Sequence, residues 1–180
     1  VQGPRAEVGD CHEVYELYLH GKQLSKRGVS SERGVKMLRE AVAIDNRCAL
    51  AWEAIAIASV NWTMSGFAKA GAAARRALEL HDALPEAWVV LAEIAEEEDS
   101  WSESEEFFLR ALYADPTNVR ANELYGETLL ARGRVKDGLH YSLEAYHFEP
   151  IYDVHVSVAA IMTGNGELAL KHAALVGERW

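Results

Sequence analysis

The side chains with most chemical potential in this sequence are its carboxylates, histidines and cysteines. The first question is whether their spacing arms any of them. Seven histidines are present: His12, His20, His81, His140, His147, His155 and His172. His140 and His147 fall two turns apart on one helical stretch and could share a face. A zinc site needs three or four ligands, and the local sequence supplies no third one. His12-Glu13 lacks the second histidine that the helical metalloprotease motif carries four places on. No glycine-rich phosphate loop follows a strand pattern, and no G-x-S-x-G elbow occurs. The expectation is a protein that is not an enzyme, with no metal and no cofactor.

The carboxylates are the more informative set. Nine acidic residues and no Lys or Arg lie between Pro85 and Leu109. Glu96-Glu97-Glu98-Asp99 fall at the end of a helical stretch, where negative charge opposes the helix dipole. Two readings stand side by side. The block is a solvated turn in an acidic protein, or it is a locally unfavourable cluster kept for a positively charged partner. The net charge of −10 argues against nucleic acid as that partner, because a nucleic-acid binder shows a basic stripe.

The two cysteines, Cys11 and Cys48, also carry two readings. As free thiols they suit a reducing, cytoplasmic compartment. Alternatively, Cys11 precedes the first helix of an antiparallel pair and Cys48 follows the second, so the helix pair brings them together. A disulfide there would point to an oxidising compartment such as a periplasm.

These residues must be positioned by helices. Pro85 to Asn118 spans 34 residues and reads as two amphipathic helices joined by a tight turn. Trp88, Leu91 and Ala95 share one face of the first. Phe108, Ala111 and Leu112 share one face of the second, and Asp115-Pro116 stops it. Val119 to Tyr152 repeats the plan, with Gly126 for Ala92, Gly138 for Ser104, Ala145 for Ala111 and Glu149-Pro150 for Asp115-Pro116. A fixed period of this length marks a helical repeat array. The small residues belong where two helices approach most closely, since a larger side chain would overpack there.

Trp88-Val-Val-Leu91-Ala92-Glu-Ile-Ala95, then Ser104, Phe108, Ala111 and Asp115-Pro116, resemble the two-helix pattern of the tetratricopeptide repeat (TPR) family. Looser copies lie upstream, one opening at Trp52. The resemblance implies an all-α, right-handed superhelical solenoid of antiparallel helix pairs, four pairs plus a partial fifth. The expected repeats are about 14–48, 49–84, 85–118, 119–152 and a partial 153–180, all within a single domain, 11–180. Residues 1–10 carry no periodicity and are read as a disordered segment or the remnant of a tag.

The resemblance also implies a concave groove lined by each first helix, and with it a role in binding a protein or peptide. The lining positions here are Glu53, Ile57, Val60 and Asn61 in the second pair. They are Glu86, Val89, Glu93, Glu96 and Glu97 in the third, and Arg120, Glu123, Glu127, Leu130 and Ala131 in the fourth. Such a groove is acidic and suits a basic or amphipathic segment. The family's carboxylate clamp needs basic or amide groups where Glu53, Ile57, Glu93 and Glu127 stand, so a chaperone's acidic terminus is not the expected ligand.

The second pair is about two residues long, and the excess falls in an expected turn from Asn61 to Phe67. Trp62, Met64 and Phe67 there either fold back over a helix end or form a secondary anchor for a partner. The last pair turns about three residues early, at Gly164-Asn165-Gly166, and its final helix is apolar nearly all round. That pattern fits a capping repeat, a chain that continues into further repeats, or a homodimer through that face. Tyr15 to Lys22 is similar to the opening of TPR domains in bacterial signalling proteins. This implies an alternative role as a regulatory or sensory end of a larger protein. Hydrophobic content of 49% with a mean hydropathy of −0.13, and no apolar run near the roughly 20 residues of a membrane span, predict no membrane insertion.

Overall fold

The computed structural model describes residues 8–25, 32–60, 64–150 and 153–179. All regular elements among them are helical. A 3-10 turn at Val8–Val14 leads into α1 (Tyr15–Ser25), followed by α2 (Glu32–Ile44), α3 (Ala49–Ser59), α4 (Met64–Leu80), α5 (Pro85–Glu97) and α6 (Trp101–Ala114). Then come α7 (Val119–Ala131), α8 (Val135–Phe148), α9 (Asp153–Met162) and α10 (Gly166–Arg179). The chain divides into two compact units, Val1–Ala114 and Asp115–Trp180. In the first, α1 pairs with α2, α3 with α4 and α5 with α6; in the second, α7 pairs with α8 and α9 with α10. No described helix is long and apolar enough to cross a membrane.

Three described turns within pairs share one mechanism. Asp99 has φ 55°, and Gly133 and Gly164 have φ 77° and 75°. After α5, the Ser100 amide donates to the Ala95 carbonyl at 2.7 Å and the Asp99 amide to Glu96 at 3.0 Å. Arg134 and Gly133 do the same to Leu129 and Leu130, and Asn165 and Gly164 to Ala160 and Ile161. Each is a helix C-terminus closed by one left-handed residue. Asp tolerates that conformation better than most side chains.

Two of the described turns between repeats share another. Asp45 Oδ1 accepts the Arg47 amide at 2.9 Å, and Asp115 Oδ1 accepts the Thr117 amide at 3.0 Å. Behind the turns that precede α3 and α5, Trp52 Nε1 donates to the Asn46 carbonyl (3.0 Å) and Trp88 Nε1 to Asp82 (2.8 Å). Asn122, which stands in the tryptophan position, donates to Pro116 at 3.0 Å through Nδ2. The substitution loses an aromatic ring and keeps the hydrogen bond that ties α3, α5 and α7 to the turns before them.

Close helix approach falls where the small residues are. A Cβ on Gly138 would lie 2.9 Å from the Gly126 carbonyl oxygen and 2.7 Å from Leu130 Cγ. A Cβ on Gly34 would lie 2.9 Å from the Gly21 carbonyl oxygen. Ala41, Ala77, Ala111 and Ala145 are buried in equivalent positions of α2, α4, α6 and α8.

Cys11 lies ahead of the first α-helix, with non-helical backbone (φ −121°, ψ 20°) inside the 3-10 turn. Cys11 is joined by a disulfide to Cys48, the residue that precedes α3, with a Cα–Cα distance of 4.8 Å. The expected turn from Asn61 to Phe67 is shorter than anticipated, since α4 already begins at Met64. Asn61 and Trp62 lie outside the described residues.

Candidate functional site

In the first unit, α3 packs against both α1 and α5. Glu53 projects from α3 and is 6% exposed. Its Oε1 accepts the Ala87 amide of the first turn of α5 at 3.3 Å. The residue at the N-cap of α5, Leu84, has no side-chain cap of its own. Glu53 therefore satisfies an orphan amide of the following repeat through a carboxyl oxygen. On α1, the Lys22 ammonium donates to the Tyr18 hydroxyl at 2.8 Å and lies 5.3 Å from the Tyr18 ring centroid.

Burial pushes the Glu53 carboxyl up to about 7, with the Glu86 carboxylate adding to the effect. Lys22 and the amides of Ala87 and Glu86 pull the other way without cancelling it. Burial also works against the charge on Lys22, but the Tyr18 hydroxyl, Glu53 and Glu86 outweigh it and leave that pKa raised.

A pH dependence follows. Unfolded, Glu53 titrates near 4.5; folded, near 7. The folded state holds the proton longer, so the group's stabilising contribution is complete below the unfolded value and lost as pH rises through 7. The full window is worth about 3 kcal/mol. Glu53→Gln keeps an oxygen for the Ala87 amide and never ionises. We expect it to match the parent near pH 4 and to exceed it by up to about 3 kcal/mol at pH 8 in urea unfolding. Equal curves at both pH values would mean that Glu53 titrates as an ordinary surface carboxylate.

The structure distributes the other groove residues unevenly. Glu97 is exposed, and Glu86, Glu96, Ile57 and Val60 are half-buried. Glu93 is 8% exposed and Val89 is fully buried, which corrects the expectation that both line an open face. The reason is that α5 packs against α3, α4 and α6. A helix with three neighbours keeps little free face, and of the residues from Ala87 to Ala95 only Trp88 is not buried. The accessible acids of α5 lie at its ends. Phe67 is also corrected: it lies inside α4, 9% exposed, and is no surface anchor. Trp88 instead stacks on Phe107 (5.7 Å between centroids) beneath the Arg110 guanidinium (4.9 Å).

In the second unit the groove positions Glu123 and Glu127 are one turn apart on α7, half-buried and exposed respectively. Between them stands His155 of α9. Its Nδ1 lies 2.6 Å from Glu127 Oε1 and its Nε2 3.6 Å from Glu123 Oε1. The hydrogen bond to Glu127 raises the His155 pKa, burial opposes, and the charges of Glu127 and Glu123 add to the rise. Arg120 is half-buried, Leu130 buried and Ala131 exposed. His140 and His147, the pair suggested by spacing, are both exposed on α8.

Sequence reasoning missed His155 as a site residue. The signal was in the repeat phase: His155 occupies the position of Ala87 and Ala121, directly before the Trp88 and Asn122 position. Glu53 and Glu123 follow that position in their own repeats. In both units such a glutamate reaches the residue before it in the next repeat, an amide in one case and an imidazole in the other.

No family model matches the sequence, and no curated protein matches it. Solved structures do. MamA 41-end from Desulfovibrio magneticus RS-1 shares 16% identity at a TM-score of 0.63, covering 96% of each chain. A MamA RS-1 double mutant gives 16% and 0.64 over 96% of each chain. MamA MSR-1 gives 18% and 0.59, covering 93% of this chain and 98% of that one. At these identities the likeness shows the fold, and that fold is the TPR-type array of antiparallel helix pairs.

Proposed function

We propose that this chain is a non-catalytic scaffold that holds a basic segment of a protein partner against acidic residues of its first helices. The observation that carries the reading is the open acidic end of α5: Glu97, Glu98 and Asp99 are exposed, with Glu86 and Glu96 half-buried on the same helix. No Lys or Arg lies between Pro85 and Leu109 to offset them. The repeat fold supports a binding role, since stacked helix pairs present extended surfaces without needing a catalytic pocket. Charge of one sign on such a surface favours encounter with a basic segment and sets its register. Trp101, exposed at the start of α6 two residues beyond Asp99, offers an apolar body for amphipathic ligands. The Cys11–Cys48 bridge supports an oxidising compartment over a cytoplasmic one.

The test is binding of labelled basic, neutral and acidic peptides at low and moderate salt, with a Glu86/Glu97/Glu98→Gln variant beside the parent. We expect binding of basic peptides that weakens as salt rises and is reduced at least about tenfold in the variant. Binding indifferent to both salt and variant would remove the acidic face from the function. A second reading, a regulatory domain that self-associates, is favoured by one observation: Val154, Val158, Ile161 and Met162 of α9 are exposed, as is Leu170 of α10. Light scattering separates the two, because a stable dimer with no peptide affinity supports the regulatory reading.

A further inference from the structure

We propose that Glu123, Glu127 and His155 form a site for a divalent transition-metal cation, with Zn2+ the species their donors fit best. The inference does not rest on the peptide-binding reading. It rests on three features of the Asp115–Trp180 unit.

The first is the donor set. One imidazole nitrogen and two carboxylate oxygens are borderline and hard donors in the ratio that zinc accepts, with water filling the remaining position. Calcium and magnesium prefer six or more oxygens, and copper(I) prefers sulfur.

The second is placement. Glu123 and Glu127 are four residues apart on α7 and so point the same way from one helix face. His155 comes from the first turn of α9, which packs against α7. The ligating atoms of the three residues all lie within 4.8 Å of one another. Two ligand atoms on a tetrahedral zinc stand about 3.3 Å apart, given bonds of about 2.0–2.1 Å. The Nε2–Glu123 separation of 3.6 Å is close to that span. Glu127 meets the other ring nitrogen, Nδ1, at 2.6 Å, so an ion held at Nε2 requires a rotamer change that swings the Glu127 carboxylate round to the Glu123 side while α7 stays fixed.

The third is access. Glu127 is exposed and His155 half-buried, so an ion can reach the cluster without opening the helix pair. A bound ion would then join the first helices of consecutive repeats, where the first unit uses the Glu53–Ala87 hydrogen bond.

The experiment is calorimetric titration of the full chain with zinc chloride, repeated with cobalt(II) and read by its visible absorption. Glu127→Gln and His155→Gln remove one donor each. His140→Gln/His147→Gln removes two exposed histidines of α8 and serves as the control. Circular dichroism checks that each variant folds. The expected result is one zinc per chain, a cobalt band typical of low coordination number, and affinity reduced more than about tenfold in either donor variant. The control should bind as the parent does. If His155→Gln does not fold, Glu127→Gln decides alone. An absence of stoichiometric binding in the parent overturns the assignment. So does binding that survives loss of the donors or disappears in the control.

Discussion

Ala111→Glu is expected to unfold α5 and α6 or to cost the Val1–Ala114 unit at least about 4 kcal/mol. Ala111 is fully buried on α6, in the second-helix position also held by Ala41, Ala77 and Ala145. Glutamate there must either bury a charge with no designed counter-charge or hold a proton against its ordinary pKa, and both are costly. Its added length also has no room at a close helix contact, so overpacking adds to the charge penalty. Total stabilities of about 5–15 kcal/mol leave little margin for such a loss. Ala72→Glu on α4, where the alanine is exposed, is the matched control and should change stability by less than about 0.5 kcal/mol. Urea unfolding followed by circular dichroism measures both. If Ala111→Glu melts with its parent, the repeat register argued above is wrong.

Breaking the Cys11–Cys48 bridge should cost about 4 kcal/mol. The two residues are 37 apart in sequence, and the chain-entropy cost of leaving a loop of that length open gives the figure. The bridge ties the 3-10 turn ahead of α1 to the residue just before α3, so its loss frees the N-terminal end of the first helix pair. Unreduced protein, opened in denaturant, should show no reactive thiol; reductant should release two and shift the urea midpoint down. Cys11→Ser/Cys48→Ser should reproduce the shift without reductant. Two thiols in unreduced protein would overturn this expectation, and with it the argument for an oxidising compartment.

Several parts of the fold are legible from short stretches. Trp88, Leu91 and Ala95 specify an apolar stripe at helical spacing. Asp115-Pro116 and Gly133 punctuate the helices by local backbone chemistry. Repetition of those signals every 34 residues makes the helix pairs recognisable without any tertiary information. Even the early last turn is read correctly, with Gly164 taking the left-handed position. Where punctuation was weak the reading slipped: nothing near Phe67 announces that α4 begins at Met64.

The candidate sites were less legible, because burial is set by neighbours that come from other repeats. Periodicity places Val89 and Glu93 on a face of α5, but only the packing of α3, α4 and α6 around that helix decides that both are buried. The resemblance to the repeat family presents Glu53 as a ligand-facing carboxylate, and only the position of α5 turns it into the cap for Ala87. Glu123 and Glu127 are visible as a pair on one helix, while His155, 28 residues beyond Glu127, joins them only when α9 packs on α7. The sequence by itself determined the helices, their period and their small-residue contacts, since those depend on local backbone preference and side-chain size. The tertiary structure alone decided which acids are open to a partner, which serve the fold, and which meet a histidine, since those depend on distances between residues that no local pattern encodes.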